Sequence, residues 1–135
     1  MKAVMILVFS FFIFGCSYAS DSAEAQRLVD NFHMKMDARD FSGIYDNFID
    51  ETKRAIPKDQ FVQSITKLQE SFGVYKNGVL INTDFRSYIS GADRIILTYK
   101  ANYTSASVKE IFILQKNKNN SLSLVSYEWD GWTKK

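Results

Sequence analysis

Hydrophobic and polar positions fall into three regimes along this chain. Ala3 to Phe14 is an almost unbroken apolar run in which only Ser10 is polar. From Asp21 to Gly73 apolar residues recur at helical spacing, and from Val74 to Trp129 they alternate. In the second regime Ala25, Leu28, Val29, Phe32 and Met36 make one stripe, and Phe41, Ile44, Tyr45, Phe48 and Ile49 repeat it after a break at Asp37–Asp40. Asp21 and Glu24 have the spacing of a capping box, which predicts a helix start at Asp21. Ser42-Gly43 weakens the start of the second stripe, so two helices with a short break are expected. Asp50 to Arg54 is uniformly polar and predicts a solvated connection. A third helix is expected from Ile56-Pro57, with Phe61, Ile65, Leu68 and Phe72 as its apolar face and Gly73 at its C-terminal cap.

In the third regime Val74-Tyr75 predicts a short strand turning at Lys76-Asn77-Gly78, and Val79 to Ile89 a long extended run. Arg94 to Tyr103 places Leu97, Tyr99, Ala101 and Tyr103 on one face of a strand. Ser107 to Lys116 places Val108, Glu110, Phe112 and Leu114 on one face. Asn117 to Asn120 is the clearest turn, and Ser121 to Trp129 the last strand. Helices followed by consecutive strands predict an α+β domain with an antiparallel meander. Ile96 beside Leu97, and Leu124 beside Val125, put apolar residues on both faces, which fits a strongly curved sheet or a homodimer through the outer face.

The opening run changes the picture of where the protein resides. One charge, Lys2, precedes about twelve apolar residues, the form of a signal peptide and too short for a membrane span, which needs about 20. Ile13-Phe14-Gly15-Cys16 resembles a bacterial lipobox, with Cys16 as the lipidated residue, and Ser17 after it implies outer-membrane sorting. A competing cleavage site follows Ser17-Tyr18-Ala19. The expected division is a signal peptide at 1–19, its lipobox ending at Cys16, and one domain at 22–135. The expected location is the bacterial envelope, at the outer membrane facing the periplasm, or otherwise soluble in the periplasm.

Composition narrows the chemistry. The chain has 135 residues with 17 basic and 15 acidic side chains, and no basic cluster, so no nucleic-acid partner is expected. One cysteine and one histidine exclude an internal disulfide framework and a Cys-rich zinc site, and no metal or other cofactor is expected. There is no GxGxxG, P-loop, GxSxG or HExxH pattern.

Three helices followed by a long antiparallel sheet are similar to the nuclear-transport-factor-2-like cone fold, of the cystatin-like type, and most of all to its small bacterial exported domains of unknown function. The resemblance rests on Asp40-Phe41-Ser42-Gly43-Ile44-Tyr45, Ile56-Pro57-Lys58-Asp59-Gln60-Phe61, Phe72-Gly73, Val108 to Leu114 and Leu124 to Trp129. It implies a curved sheet wrapped around three N-terminal helices. That fold hosts isomerases, cyclases, dehydratases and non-enzymatic binders, so it does not give the function.

Candidate residues are few. His33 is the only imidazole, so histidine acid–base chemistry must use it, and in cone-fold enzymes its helix lines the pocket. The bland reading is a boundary histidine with one wet nitrogen. Glu110, among apolar residues on its strand face, is a candidate acid or base if that face points inward. Otherwise it is expected in a salt bridge, to Lys100 or Arg94 across the sheet, or at a solvated strand end. Tyr99, Tyr103, Phe112, Tyr127 and Trp129 are candidate walls of an apolar ligand pocket, and Trp132 could join Trp129 in meeting a partner. With no paired acid and base fixed by spacing, the reading favours a non-catalytic module that holds a small apolar ligand or an envelope protein. The alternative is a lyase- or isomerase-type enzyme using His33 and Glu110.

Overall fold

The computed structural model describes residues 16–134, and the side chains of 19–131 and 133. The expected signal segment before Cys16, and the Cys16 and Trp132 side chains, lie outside what it describes. Four helices, α1 (Cys16–Asp37), α2 (Phe41–Asp46), α3 (Asp50–Ala55) and α4 (Lys58–Phe72), precede four strands, β1 (Tyr75–Arg86), β2 (Arg94–Tyr103), β3 (Ala106–Lys116) and β4 (Leu122–Lys134). The strands form one antiparallel sheet in chain order. The helices cover the face presented by Leu97, Tyr99, Ala101 and Tyr103 of β2 and by Val108, Glu110, Phe112 and Leu114 of β3, all of them buried. The chain is therefore α+β, as its pattern predicts.

Three local expectations need correction. The first helix does not start at Asp21, which lies inside α1. Its carboxylate instead pairs with Lys116 at 3.0 Å, and Glu24 accepts the Leu122 backbone N–H at 3.0 Å. Both acids thus fasten α1 to the β3–β4 turn rather than cap it. The polar stretch Asp50 to Arg54 is a helix, not a solvated connection, which raises the helix count to four among the described residues. Asp50 and Glu51 occupy its first turn and Lys53 and Arg54 its last, the order that complements the helix dipole. Tertiary bonds hold it as well. The Thr52 hydroxyl donates to the Val125 carbonyl at 2.8 Å, and the Tyr45 hydroxyl sits 2.7 Å from the Ile56 carbonyl.

Finally, Lys76-Asn77-Gly78 does not turn. The strand runs through it with a register shift between Tyr75 and Asn77. A Cβ on Gly78 would lie 2.6 Å from the Tyr75 hydroxyl, so this glycine makes room for a ring rather than a turn. The strand also stops at Arg86 and leaves Tyr88 and Ile89 in the loop.

Helix breaks follow local chemistry. Arg39 takes a left-handed φ of 57° after α1, and the Asp40 side chain caps α2 by accepting the Gly43 N–H at 2.9 Å. Gly73 ends α4 at φ 81° and ψ −154°, a conformation open essentially to glycine alone. A Cβ there would fall 1.9 Å from the Thr104 hydroxyl, which itself accepts the Val74 N–H at 2.9 Å. Gly73→Ala is expected to cost about 1–3 kcal/mol from backbone strain alone, measured by thermal unfolding. An unchanged Tm would show that the α4–β1 corner relaxes freely.

The edge of β4 is partly covered. Ile49 N–H donates to the Leu124 carbonyl and Leu124 N–H to the Asn47 carbonyl, each at 2.9 Å. The α2–α3 connection therefore lies along β4 as a short parallel bridge. Register shifts between Ser107 and Lys109 and between Ile113 and Leu114 bend β3 and β4 at this side. The α2–α3 connection and α3 are thereby held against the edge strand.

Candidate functional site

His33 and Glu110 are brought together from positions 77 residues apart. His33 faces the sheet from α1, and Glu110 is the fully buried centre of β3. The His33 Nε2–H donates to Glu110 Oε2 at 2.8 Å. The other carboxylate oxygen accepts the Tyr127 hydroxyl at 2.8 Å and the Tyr103 hydroxyl as well. Neither Lys100 nor Arg94 is the partner of Glu110. Both lie on the opposite face of β2, because Tyr99 is the residue that faces Glu110 in register. His33 is not a boundary residue either: it is 3% exposed, and its buried Nδ1 has no hydrogen-bond partner among the described residues.

Aromatic rings seal this cluster. Tyr75 stacks on the imidazole with centroids 3.8 Å apart and planes 8° from parallel. Phe32 and Phe112 meet the same ring edge-on, each at 5.8 Å. Tyr75 is held over His33 from the backbone, since its N–H donates to Asp37 at 3.0 Å. Burial raises the pKa of all four surrounding tyrosines, and the negative Glu110 adds to the rise. Tyr103 and Tyr127 are pushed well above the ordinary tyrosine value, Tyr99 to about 12, and Tyr75 upward. The hydroxyls of Tyr103 and Tyr127 therefore stay protonated and remain donors to the carboxylate.

A separate apolar cavity of about 250 Å³ lies between the helices and β4. Tyr45 and Phe48 of the α2 region, Ile56 after α3, and Phe61, Ile65 and Leu68 of α4 form one wall. Val125, Tyr127 and Trp129 form the other. Most of the polar atoms along it are already engaged. The Tyr45 and Thr52 hydroxyls meet backbone carbonyls, Ser126 Oγ meets Glu128, and the Tyr127 hydroxyl points away to Glu110. What faces the space is ring and aliphatic carbon. Trp129, about half exposed, stands at the mouth, 5.8 Å from the Tyr127 ring and 6.3 Å from Phe72.

Tyr127 is the one residue shared by cluster and cavity. Of the five expected pocket residues, Tyr127 and Trp129 line this cavity, whereas Tyr99, Tyr103 and Phe112 are packed in the core. Neither His33 nor Glu110 lines it. The sequence pattern already showed the Phe61, Ile65 and Leu68 stripe, but as core. Ile56 was the available signal, an apolar residue between polar stretches with no stripe to join.

Among the described residues no group of His, Cys, Asp or Glu is placed to hold a metal ion, and no helix is long and apolar enough to cross a membrane. No family model matches this chain, and no curated protein matches it.

Proposed function

We propose that this protein is a non-catalytic binding module of the bacterial envelope, tethered through a lipid on Cys16 and built on a cone-type curved sheet. Its ligand is a small apolar group held between α4 and β4. The cavity carries this reading: it is lined mostly by carbon, while most of the polar atoms around it are already bonded to the protein. At about 250 Å³ it falls below the roughly 300–1,000 Å³ of sites for drug-sized ligands. A small aromatic molecule or a short acyl chain suits it.

The sealed His33–Glu110 pair supports the absence of chemistry. General acid–base catalysis needs the group within hydrogen-bond reach of the reacting atom. Here the carboxylate is occupied by three donors, and rings cover the imidazole. The pair reads as a buried polar staple between α1 and the sheet.

The test is binding of an apolar fluorescent probe such as N-phenylnaphthylamine to the purified protein. Ser64 lines the cavity from an exposed position on α4, so Ser64→Trp fills the space with little cost, within about 0.5 kcal/mol for a surface change. Probe fluorescence is expected to rise with the wild type and to stay near baseline with Ser64→Trp, at unchanged Tm. Equal probe binding by both proteins, or none by the wild type, would sink the cavity as the binding site.

A further inference from the structure

The β1–β2 loop and the end of β1 carry an apolar tip that reaches solvent. Phe85 and Tyr88 are each about two-fifths exposed and Ile89 is wholly exposed. Single exposed apolar residues need no explanation, but three within five positions, Phe85 at the end of β1 and Tyr88 and Ile89 in the loop, form a patch. Basic residues flank it: the Arg94 guanidinium lies 5.6 Å from the Tyr88 ring centroid, and Arg86 pairs with Asp84 at 3.0 Å.

The topology places this tip at the end where the chain enters the fold. Arg94 opposes Gln115 in register, so the β1–β2 loop and the β3–β4 turn share one end of the sheet. Ala92 lines a common surface cleft with Lys116 and Asn117. The N-terminal turns of α1 are bound to that same turn through Asp21–Lys116 and Glu24–Leu122. Cys16 is about 8 Å along the helix axis from Asp21, and the apolar run Ala3 to Phe14 precedes it in sequence.

We infer that the Tyr88-Ile89 tip, with Phe85 behind it, is a wedge that inserts into the lipid surface to which the N-terminus tethers the chain. The inference rests on the Cys16 anchoring proposed above. Aromatic and aliphatic side chains flanked by Arg are suited to the boundary between headgroups and acyl chains. The acids at this end are Asp21 and Asp84, each paired with a base, Glu24, which accepts the Leu122 N–H, Asp93, next to Arg94 in sequence, and Asp46, Asp50 and Glu51 along the cleft that Lys53, Arg54, Lys116 and Lys118 also line. Charge is thus nearly balanced, and insertion is driven by the apolar tip. A second contact also fixes orientation: it holds the α1–turn end against the membrane and directs the opposite end, with Gly73 and the β2–β3 turn, away from it.

The experiment uses the full chain purified from its membrane fraction and placed in phosphatidylethanolamine/phosphatidylglycerol vesicles. Flotation reports the anchor, and amide hydrogen exchange of residues 87–93 reports the wedge. We expect wild type and Ile89→Asp both to float, with exchange at 87–93 several-fold slower in the wild type than in the variant. Exchange within β2 should be equal in the two. Flotation with equally fast exchange at 87–93 in both proteins would overturn the wedge and leave the anchor standing. Failure to float would overturn both.

Discussion

Glu110→Ala is expected to destabilise the protein by about 3–5 kcal/mol, the scale for removing one partner of a buried charged network. The substitution leaves the His33 Nε2–H and the Tyr103 and Tyr127 hydroxyls without their acceptor in the packed core. A buried group left without an acceptor costs about 1–3 kcal/mol, which falls on His33 first because Tyr103 and Tyr127 also bond each other, and the lost volume adds a cavity on top. Water cannot readily replace the carboxylate, because Tyr75, Phe32 and Phe112 close around His33.

Glu110→Gln is expected to cost less. Its carbonyl oxygen still accepts the two tyrosine hydroxyls, and only its NH₂ opposes the His33 N–H. Urea unfolding measures both. The pair of variants also separates the staple from a catalytic site, for which Glu110→Gln would abolish turnover while both variants kept wild-type midpoints. A Glu110→Ala midpoint equal to the wild type would remove the structural account.

How far the sequence anticipated this arrangement depends on the range of the interaction. Period-2 alternation placed Leu97, Tyr99, Ala101 and Tyr103 together, and Val108, Glu110, Phe112 and Leu114 together, because side-chain direction in a strand is set by its own backbone. The pattern left the burial of Glu110 open between an inward carboxylate and a pairing with Lys100 or Arg94, because alternation fixes which residues share a face and not which face is covered. The partners of Glu110 did not follow either, since His33 meets it only through the packing of α1 on the sheet, and no spacing encodes that angle.

The α3 segment misled for a different reason. Its six residues carry no apolar stripe and bury nothing, so periodicity is silent. Charge order and the Thr52 and Tyr45 bonds make the helix. The cavity was illegible because the stripe Phe61, Ile65, Leu68 reads alike whether its partner wall touches it or stands off. The stand-off comes from the α2–α3 bridge along β4 and the shift that leaves Val125 unpaired in the β3–β4 register. Neither belongs to a local pattern.

Alkaline pH should destabilise this protein steeply from just above pH 10. The four tyrosines around the buried carboxylate have pKa values raised above the 10.0 of a free side chain, so the unfolded chain ionises first. Below pH 10 both states hold these protons and stability is flat. Above it the unfolded state releases them while the folded state does not, so stability falls as pH rises. Tyr99 ceases to contribute once pH passes about 12, and Tyr103 and Tyr127, raised well above the ordinary value, add to the fall. Those two alone give a slope of about 2.7 kcal/mol per pH unit, from about 1.4 for each proton.

Two units of pH at that slope remove about 5 kcal/mol, as much as the whole stability of many domains. Tyrosinate absorbance is therefore expected to appear together with loss of the circular-dichroism signal of the fold, in one cooperative step. Smooth titration of these tyrosines near their ordinary value, with the fold intact, would mean that the cluster is open to solvent. Burial is the first cause of the shift at every one of the four, ahead of the Glu110 charge. Glu110→Gln should accordingly keep the coupled step, and an uncoupled titration in that variant would identify charge, not burial, as what holds the tyrosines protonated.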